Sequence, residues 1–208
     1  MKKKFTITII LTAILAVTNL STKSQEISGG IKAGLTMSNL YVDEDDIDDE
    51  NARFGFHAGL FGQIMFMETV GLQTELLFTT KGTEVVYGGF FDQTVSFNLN
   101  YLDLPVLVVF RPLEMLEFQA GPYLGLLLNS NVKYSGVIDG TDEIDRDNFN
   151  TLDYGIGAGV GLNFGMVQVG IRYNLGLQEI AKTDIAKSLL GDSKNSYGQL
   201  YIAVKFYE

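Results

Sequence analysis

Apolar side chains recur at every second position through most of this chain. Residues 27–37 illustrate the pattern, with Ile27, Ile31 and Leu35 on one parity and Lys32 and Thr36 on the other. Successive side chains of a β-strand point to opposite faces of a sheet, so a period of two predicts strands with one apolar and one polar face. Eight such strands are predicted, near 26–38, 53–66, 70–81, 93–110, 115–130, 151–164, 167–178 and 197–207.

The predicted links between these strands alternate in length. Short links lie at 67–69, 111–114 and 165–166, and long links lie at 39–52, 82–92, 131–150 and 179–196. When both ends of an even-stranded barrel lie on one side, all short turns share that side and all long loops share the other, as in outer-membrane barrels. Closing the sheet also removes the unpaired edges that lipid does not tolerate. The sequence therefore predicts an all-β fold, an eight-stranded antiparallel up-and-down transmembrane β-barrel.

The N-terminal segment is predicted to be a signal peptide. Three lysines at 2–4 precede an apolar run at 5–20 and then a stretch of small polar residues. This order is typical of secretory signals, and the apolar run is short for a permanent membrane span. We expect residues 1–24 to be the signal peptide and residues 25–208 to be the outer-membrane barrel domain. The predicted location is the outer membrane of a Gram-negative cell, after export.

A secreted lipocalin-like calyx is the main alternative, because it also has eight antiparallel strands but turns its apolar face inward around an apolar ligand. The charged residues on the polar parity favour the membrane barrel, since they are few and nearly balanced. A narrow lumen can pair such a set, whereas the outside of a soluble protein carries many more charges. The set comprises Lys32, Arg53, Lys81, Arg172 and Lys205 with Glu75, Asp103, Glu117 and Asp153.

Composition excludes several classes of function. The chain has no cysteine, which excludes disulfides, thiolate metal sites and cysteine nucleophiles. Its net charge is −10, and it becomes −14 without residues 1–24. Nucleic acid is therefore not an expected partner, because phosphate binding needs clustered Lys and Arg. No catalytic, cofactor or metal motif stands out, so we expect a protein that is not an enzyme and needs no cofactor.

Five residues on the polar parity are predicted to form a polar network in the lumen: Arg53, His57, Glu75, Asp103 and Arg172. An ion pair of Asp103 with Arg172 or Arg53 is expected within it. The apolar parity of the fourth strand changes after Tyr101, which predicts a β-bulge there and places Leu99 and Tyr101 on the apolar face. Pro105 cannot donate to a strand ladder, so a local irregularity is expected beside it.

His57 is the one histidine of the chain. A histidine near a serine and a carboxylate can serve a hydrolase. No nucleophile elbow accompanies His57, so a hydrogen-bonding role in the lumen is favoured over a catalytic one.

Acidic residues are concentrated in two of the long loops. Residues 43–50 contain seven carboxylates in eight positions, and residues 139–147 contain five more. Neither spacing is that of an EF-hand loop, and solvated loops are the favoured interpretation. Weak surface binding of Ca²⁺ is the alternative hypothesis, which calorimetry with millimolar Ca²⁺ would test.

Several short segments, taken in order, resemble the PorT-type outer-membrane β-barrel family of Gram-negative bacteria. They are 30–35 (GIKAGL), 55–60 (GFHAGL), 72–76 (LQTEL), 101–107 (YLDLPVL), 121–125 (GPYLG), 155–159 (GIGAG) and 172–177 (RYNLGL). The resemblance implies an eight-stranded barrel, and one named member of that family is linked to secretion across the outer membrane. The last strand resembles the aromatic-ended signal that barrel assembly machinery reads, in Phe206 and Tyr207, although Glu208 follows them.

The predicted size limits the function. The interior of an eight-stranded barrel is just wide enough for its own side chains, so an open solute channel is not expected. We expect a structural or interaction role in the cell envelope, extending to envelope assembly or protein export. The expected partners are outer-membrane lipid, the barrel assembly machinery during insertion, and a protein partner at the long loops.

Overall fold

The computed structural model describes residues 26–41, 51–87, 93–135, 140–143, 150–180 and 194–206. The predicted signal peptide and the acidic run at 43–50 lie outside these ranges. These ranges contain nine strands: β1 (Glu26–Tyr41), β2 (Asn51–Met65), β3 (Val70–Tyr87), β4 (Gln93–Leu113), β5 (Leu116–Ser135), β6 (Gly140–Glu143), β7 (Leu152–Phe164), β8 (Val167–Glu179) and β9 (Lys194–Lys205). In the described part of the chain, no helix is long and apolar enough to cross a membrane.

Eight of the strands close into an antiparallel barrel. Each strand pairs with its neighbour in the order β1–β2–β3–β4–β5–β7–β8–β9, and β9 pairs with β1 to complete the ring. The predicted eight-stranded barrel is therefore confirmed. The short strand β6 lies in the segment predicted as a long loop, where it pairs with the outer end of β5. Strands β3, β4 and β5 are also longer than predicted, at 18, 21 and 20 residues.

The short links lie at or beside their predicted positions, although β4 extends to Leu113 and leaves a turn of only two residues before β5. Short turns at 66–69, 114–115 and 165–166 share one end of the barrel with the start of β1 and the end of β9. We call this the short-turn end, and the opposite one the long-loop end. The turn at 165–166 is tight enough to need a left-handed residue, and Gly165 supplies it with a φ of 61°.

The apolar faces of the strands point outward. Phe54 is 73% exposed, Ile156 is 54% exposed and Leu124 is 50% exposed, and the pattern continues around the wall. A calyx would bury these side chains around a central cavity, so the lipocalin-like alternative is wrong. An outer wall covered in exposed aliphatic and aromatic side chains is stable in hydrocarbon but not in water.

The predicted irregularity near Tyr101 is present, but the parity assignment beside it is wrong. Asn100 pairs with Asn129 while Tyr101 pairs with Leu127, so the extra residue, Leu128, lies on β5. Strand β4 keeps one parity from Asn98 to Phe110, and Leu99 and Tyr101 are buried in the lumen at 2% and 1% exposure.

Pro105 is also buried on the lumen side, and the ladder is interrupted beside it. Pairing between β3 and β4 stops after Thr74–Val106 and resumes at Leu77–Asp103. The interruption matches the missing N–H donor of proline.

The outward apolar band ends toward the long-loop end at a ladder of asparagines on β4 and β5. Asn98 lies opposite Asn131, and Asn100 lies opposite Asn129. The Asn100 Nδ2 group donates to Asn129 Oδ1 at 2.6 Å. Because a transmembrane β-strand needs only about 9–11 residues, the outer parts of β3, β4 and β5 extend beyond this boundary.

Charge on the outward face should be costly at the middle of the band and tolerated at its rim. Ile156→Lys should lower the free energy of unfolding by about 2–4 kcal/mol, whereas Leu152→Lys, on the same face of β7 but at its long-loop end, should cost about 0–1 kcal/mol. Urea unfolding in lipid vesicles measures both. Equal effects would show that Ile156 does not face hydrocarbon.

Candidate functional site

The lumen holds a balanced set of buried charges. Eight charged side chains are at most 3% exposed: Lys32, Lys81, Arg172 and Lys205 with Glu75, Asp103, Glu117 and Asp153. All eight belong to the set singled out from the polar parity of the strands, and Arg53, the ninth member, is half-buried. Burying ions is tolerable only when they are paired and hydrogen-bonded, so the pairing decides how this interior holds together.

Glu75 is the centre of the middle layer of the lumen. Its two carboxylate oxygens each accept from the Arg172 guanidinium at 2.7 Å, and Oε1 also accepts from Lys32 Nζ at 2.8 Å. The Lys32 ammonium lies 3.5 Å from the centroid of the Tyr201 ring, which adds a cation–π contact. One carboxylate thus connects β1, β3 and β8 across the barrel.

A second group of polar side chains fills the lumen toward the short-turn end. Glu117 Oε1 accepts from Gln119 at 2.7 Å, from Gln168 at 3.0 Å and from Gln63 at 3.2 Å. Its other oxygen pairs with Arg111 at 3.3 Å. Amide side chains from β5 itself and from two further strands, β2 and β8, therefore enclose one carboxylate. This packing occupies the lumen at the level of the short turns.

Toward the long-loop end, Lys81 lies in a cage of aromatic rings and carboxylates. Its Nζ bonds Asp103 Oδ1 at 3.0 Å and Asp153 Oδ2 at 3.2 Å. Three tyrosine rings surround the ammonium, with centroids at 4.3 to 4.9 Å: Tyr197, Tyr101 and Tyr123. Gly125 makes room for the cage, because a Cβ there would lie 2.6 Å from Asp103 Oδ1.

His57 lies in the lumen wall at 1% exposure. Its Nδ1 is 3.1 Å from Thr36 Oγ1, and its Nε2 has no hydrogen-bond partner among the described residues. Among the described residues, no carboxylate is hydrogen-bonded to the His57 ring. The arrangement is therefore not that of a catalytic triad. The contact with Thr36 links β2 to β1.

The structure separates the five predicted network residues into different layers. Arg172 and Glu75 are brought together, whereas Asp103 pairs with Lys81, so the expected ion pair of Asp103 with Arg172 or Arg53 is wrong. In the pairing register Asp103 shares a row with Gly125 and Asp153, which lies nearer the long-loop end than the row of Arg172. Arg53 donates to the Lys81 carbonyl at 3.0 Å.

Sequence reasoning did not assign partners to Lys32, Lys81 or Asp153, and it did not predict the buried tyrosines that lie against Lys81 and Lys32. Tyr101, Tyr123, Tyr197 and Tyr201 are all at most 2% exposed. Tyr123, Tyr197 and Tyr201 follow the polar parity of their strands, and this was the signal available for placing them in the lumen. Tyr154 and Tyr173, on the apolar parity, lie on the outer wall at 41% and 58% exposure.

An eight-stranded closed barrel with an apolar outer wall and an ion-paired interior is an outer-membrane protein of the small-barrel class. Residues 21–182 match the family described as "Outer membrane protein beta-barrel domain". The match covers more than half of the chain, and the chain belongs to this family. Its location is the outer membrane, and its strands are transmembrane. A comparison with curated proteins finds no match.

Solved structures share the fold at low sequence identity. The attachment invasion locus protein Ail of Yersinia pestis, in complex with the heparin analogue sucrose octasulfate, is 17% identical, with a TM-score of 0.50 over 87% of this chain and 99% of that one. Neisserial surface protein A is 15% identical with a TM-score of 0.46, covering 87% and 99% of the two chains. OprG of Pseudomonas aeruginosa is 14% identical with a TM-score of 0.36, covering 88% and 95%. The similarity to Ail supports the fold alone.

Proposed function

We propose that this protein is a closed outer-membrane barrel with a structural and interaction role in the cell envelope, and that it does not conduct solutes or catalyse a reaction. The observation that carries the proposal is the filled lumen. A cavity of about 440 Å³ lies at the short-turn mouth beside Arg111 and Lys205. Beyond it, three successive layers of ion pairs, centred on Glu117, Glu75 and Lys81, occupy the described interior. An eight-stranded barrel leaves space for side chains and little else.

The proposed partner is a cationic protein surface that meets the long loops. The links at 42–50, 88–92, 136–151 and 180–193 carry 15 acidic and three basic residues, a net charge of −12. A field of this sign attracts cations and repels anions at ordinary ionic strength. The polysulfated ligand bound to Ail is therefore the wrong kind of molecule for this chain. A role in envelope assembly or export, as the PorT resemblance suggests, would act through the same surface.

Insertion by barrel assembly machinery is part of the proposal. Phe206, directly after β9, is 54% exposed and points outward at the short-turn end. Its position is compatible with the aromatic-ended insertion signal noted in the sequence.

The proposal predicts that the purified protein is electrically silent. Reconstituted in planar lipid bilayers, the wild type should give no stable porin-like conductance steps, because the ion-paired layers block the path of a hydrated ion. A porin added to the same bilayer is the positive control. Stable single-channel currents from the wild type would overturn the closed-barrel proposal.

The interaction role is tested separately by changing the charge of the long loops. Replacing the seven carboxylates of residues 43–50 by their amides should abolish capture of the cationic partner from solubilised outer membrane. The matched control is Glu68→Gln with Glu114→Gln, which neutralises acidic residues at the short-turn end. Capture that both variants retain would contradict a role for the long loops.

A further inference from the structure

The outer wall of the barrel carries a furrow between two rows of outward-pointing side chains. Outward side chains of neighbouring strands line up in rows that follow the pairing register, at right angles to the strands. One row consists of Phe118, Val160, Ile171, Leu200 and Leu35. The next row toward the long-loop end consists of Ala158, Tyr173, Gly198, Met37 and Phe54. The space between these two rows forms a cavity of about 710 Å³.

Two small residues open this furrow. Ala158 and Gly198 lie directly opposite Tyr173 on its two neighbouring strands. The Tyr173 ring therefore stands alone between positions that have almost no side chain, and it is 58% exposed. The floor between the rows is backbone, because the intervening residues, such as Arg172, point into the lumen.

The furrow has the shape and direction that suit a hydrocarbon chain. It crosses six neighbouring strands, from Phe118 on β5 to Phe54 on β2. At a strand spacing of about 4.8 Å, its length is about 24 Å. At one end of the furrow, Phe118 lies two residues from the short-turn end of β5. At the other end, Phe54 lies three residues from the long-loop end of β2. The furrow therefore runs obliquely across the hydrocarbon layer. One leaflet of the bilayer core is about 15 Å thick, so the chain of a single lipid fits within the furrow.

We infer that this furrow is a binding site for one acyl chain of a membrane lipid. A methylene group occupies about as much volume as a water molecule, roughly 30 Å³, so the cavity holds a whole chain of ordinary length. The side chains of the two rows are apolar apart from the Tyr173 hydroxyl, which is hydrogen-bonded to Ser196 Oγ. This pair places a polar group beside the furrow, on its long-loop side.

A second barrel fits the furrow less well than an acyl chain. A stable protein interface buries about 800 Å² on each partner and needs matching surfaces. A neighbouring cylinder would have to insert a continuous oblique ridge into a narrow furrow. A flexible chain follows the same line without any matching surface.

The experiment uses the full-length wild-type barrel in proteoliposomes that contain phosphatidylethanolamine with a diazirine on one acyl chain. After irradiation, mass spectrometry maps the labelled residues. We expect severalfold more label on Tyr173 and Leu200 than on Leu76 and Leu104, which are exposed outward on β3 and β4. Even labelling around the wall, or cross-links that join two barrels, would overturn the inference.

A filling variant tests the same site. In Gly198→Leu a Cβ meets nothing closer than the Met37 carbonyl oxygen at 4.0 Å, so the barrel can accept the side chain. The label on Tyr173 should fall severalfold in this variant. The matched control is Ala58→Leu, an outward substitution on β2 that does not line the furrow, and it should leave the label unchanged. A Gly198→Leu barrel that folds and keeps wild-type labelling would also overturn the inference.

Discussion

Glu75→Gln is expected to lower the free energy of unfolding by about 3–5 kcal/mol, the range found when one partner of a buried ion pair is removed. The substitution keeps the size of the side chain but leaves both Arg172 and Lys32 without an anionic partner in the middle of the lumen. Both cations are at most 2% exposed. Reversible urea unfolding in lipid vesicles, followed by the gel mobility of the folded barrel, measures the change.

Glu26→Gln is the matched control for this prediction. Glu26 pairs with Arg111 at 3.4 Å near the mouth of the barrel, and its side chain is 38% exposed. An exposed pair of this kind contributes about 0–1 kcal/mol, so the control should unfold almost as the wild type does. If Glu75→Gln were equally mild, the central ion pairs would not hold the lumen together.

Arg172 offers a second check on the same layer. Combining Glu75→Gln with Arg172→Gln and Lys32→Met removes the unpaired cations together with the carboxylate. The combined variant should therefore recover much of the stability that Glu75→Gln alone loses, because no uncompensated charge remains. If the combined variant did not recover stability, the loss in Glu75→Gln would come from packing and not from charge.

The barrel itself could be predicted from the sequence because a transmembrane strand must satisfy two faces at once. The outward position of Ile156 and the inward position of Asp153 follow from parity alone. An apolar side chain is stable in hydrocarbon, whereas a charged one is destabilising there. Short turns such as the one at Gly165 fix the order of neighbours. Closure then follows, because an open edge would leave backbone groups unpaired in lipid.

The partners inside the lumen could not be predicted in the same way. Which carboxylate meets Arg172 depends on the height of each strand in the barrel, and a shift of two residues keeps parity but changes the layer. Leu99 shows a second limit, since an apolar residue has no signature that separates a lumen position from a lipid position. The position of the bulge residue, Leu128, on β5 also depends on pairing that parity in β4 does not reveal.

Lys81→Met should have the other large effect on stability, for the opposite electrostatic reason. It removes the cation that bonds both Asp103 and Asp153 and leaves two buried carboxyl groups facing the same space. Each keeps weaker donors, since Tyr197 donates to Asp103 and Asn195 donates to Asp153, at 3.3 and 2.9 Å. We therefore expect a loss near the lower end of the range for a broken buried pair, about 3 kcal/mol.

The triple variant Lys81→Met, Asp103→Asn, Asp153→Asn separates charge from packing in this cage. Both amides still accept hydrogen bonds from the neighbouring tyrosine and asparagine groups, and no ion is left unpaired, so the triple variant should be more stable than Lys81→Met alone. Urea unfolding in the same vesicles makes the comparison. If the triple variant were no more stable than Lys81→Met, the cation–π contacts with Tyr101, Tyr123 and Tyr197 would account for the loss, because all three contacts disappear with the ammonium in both variants.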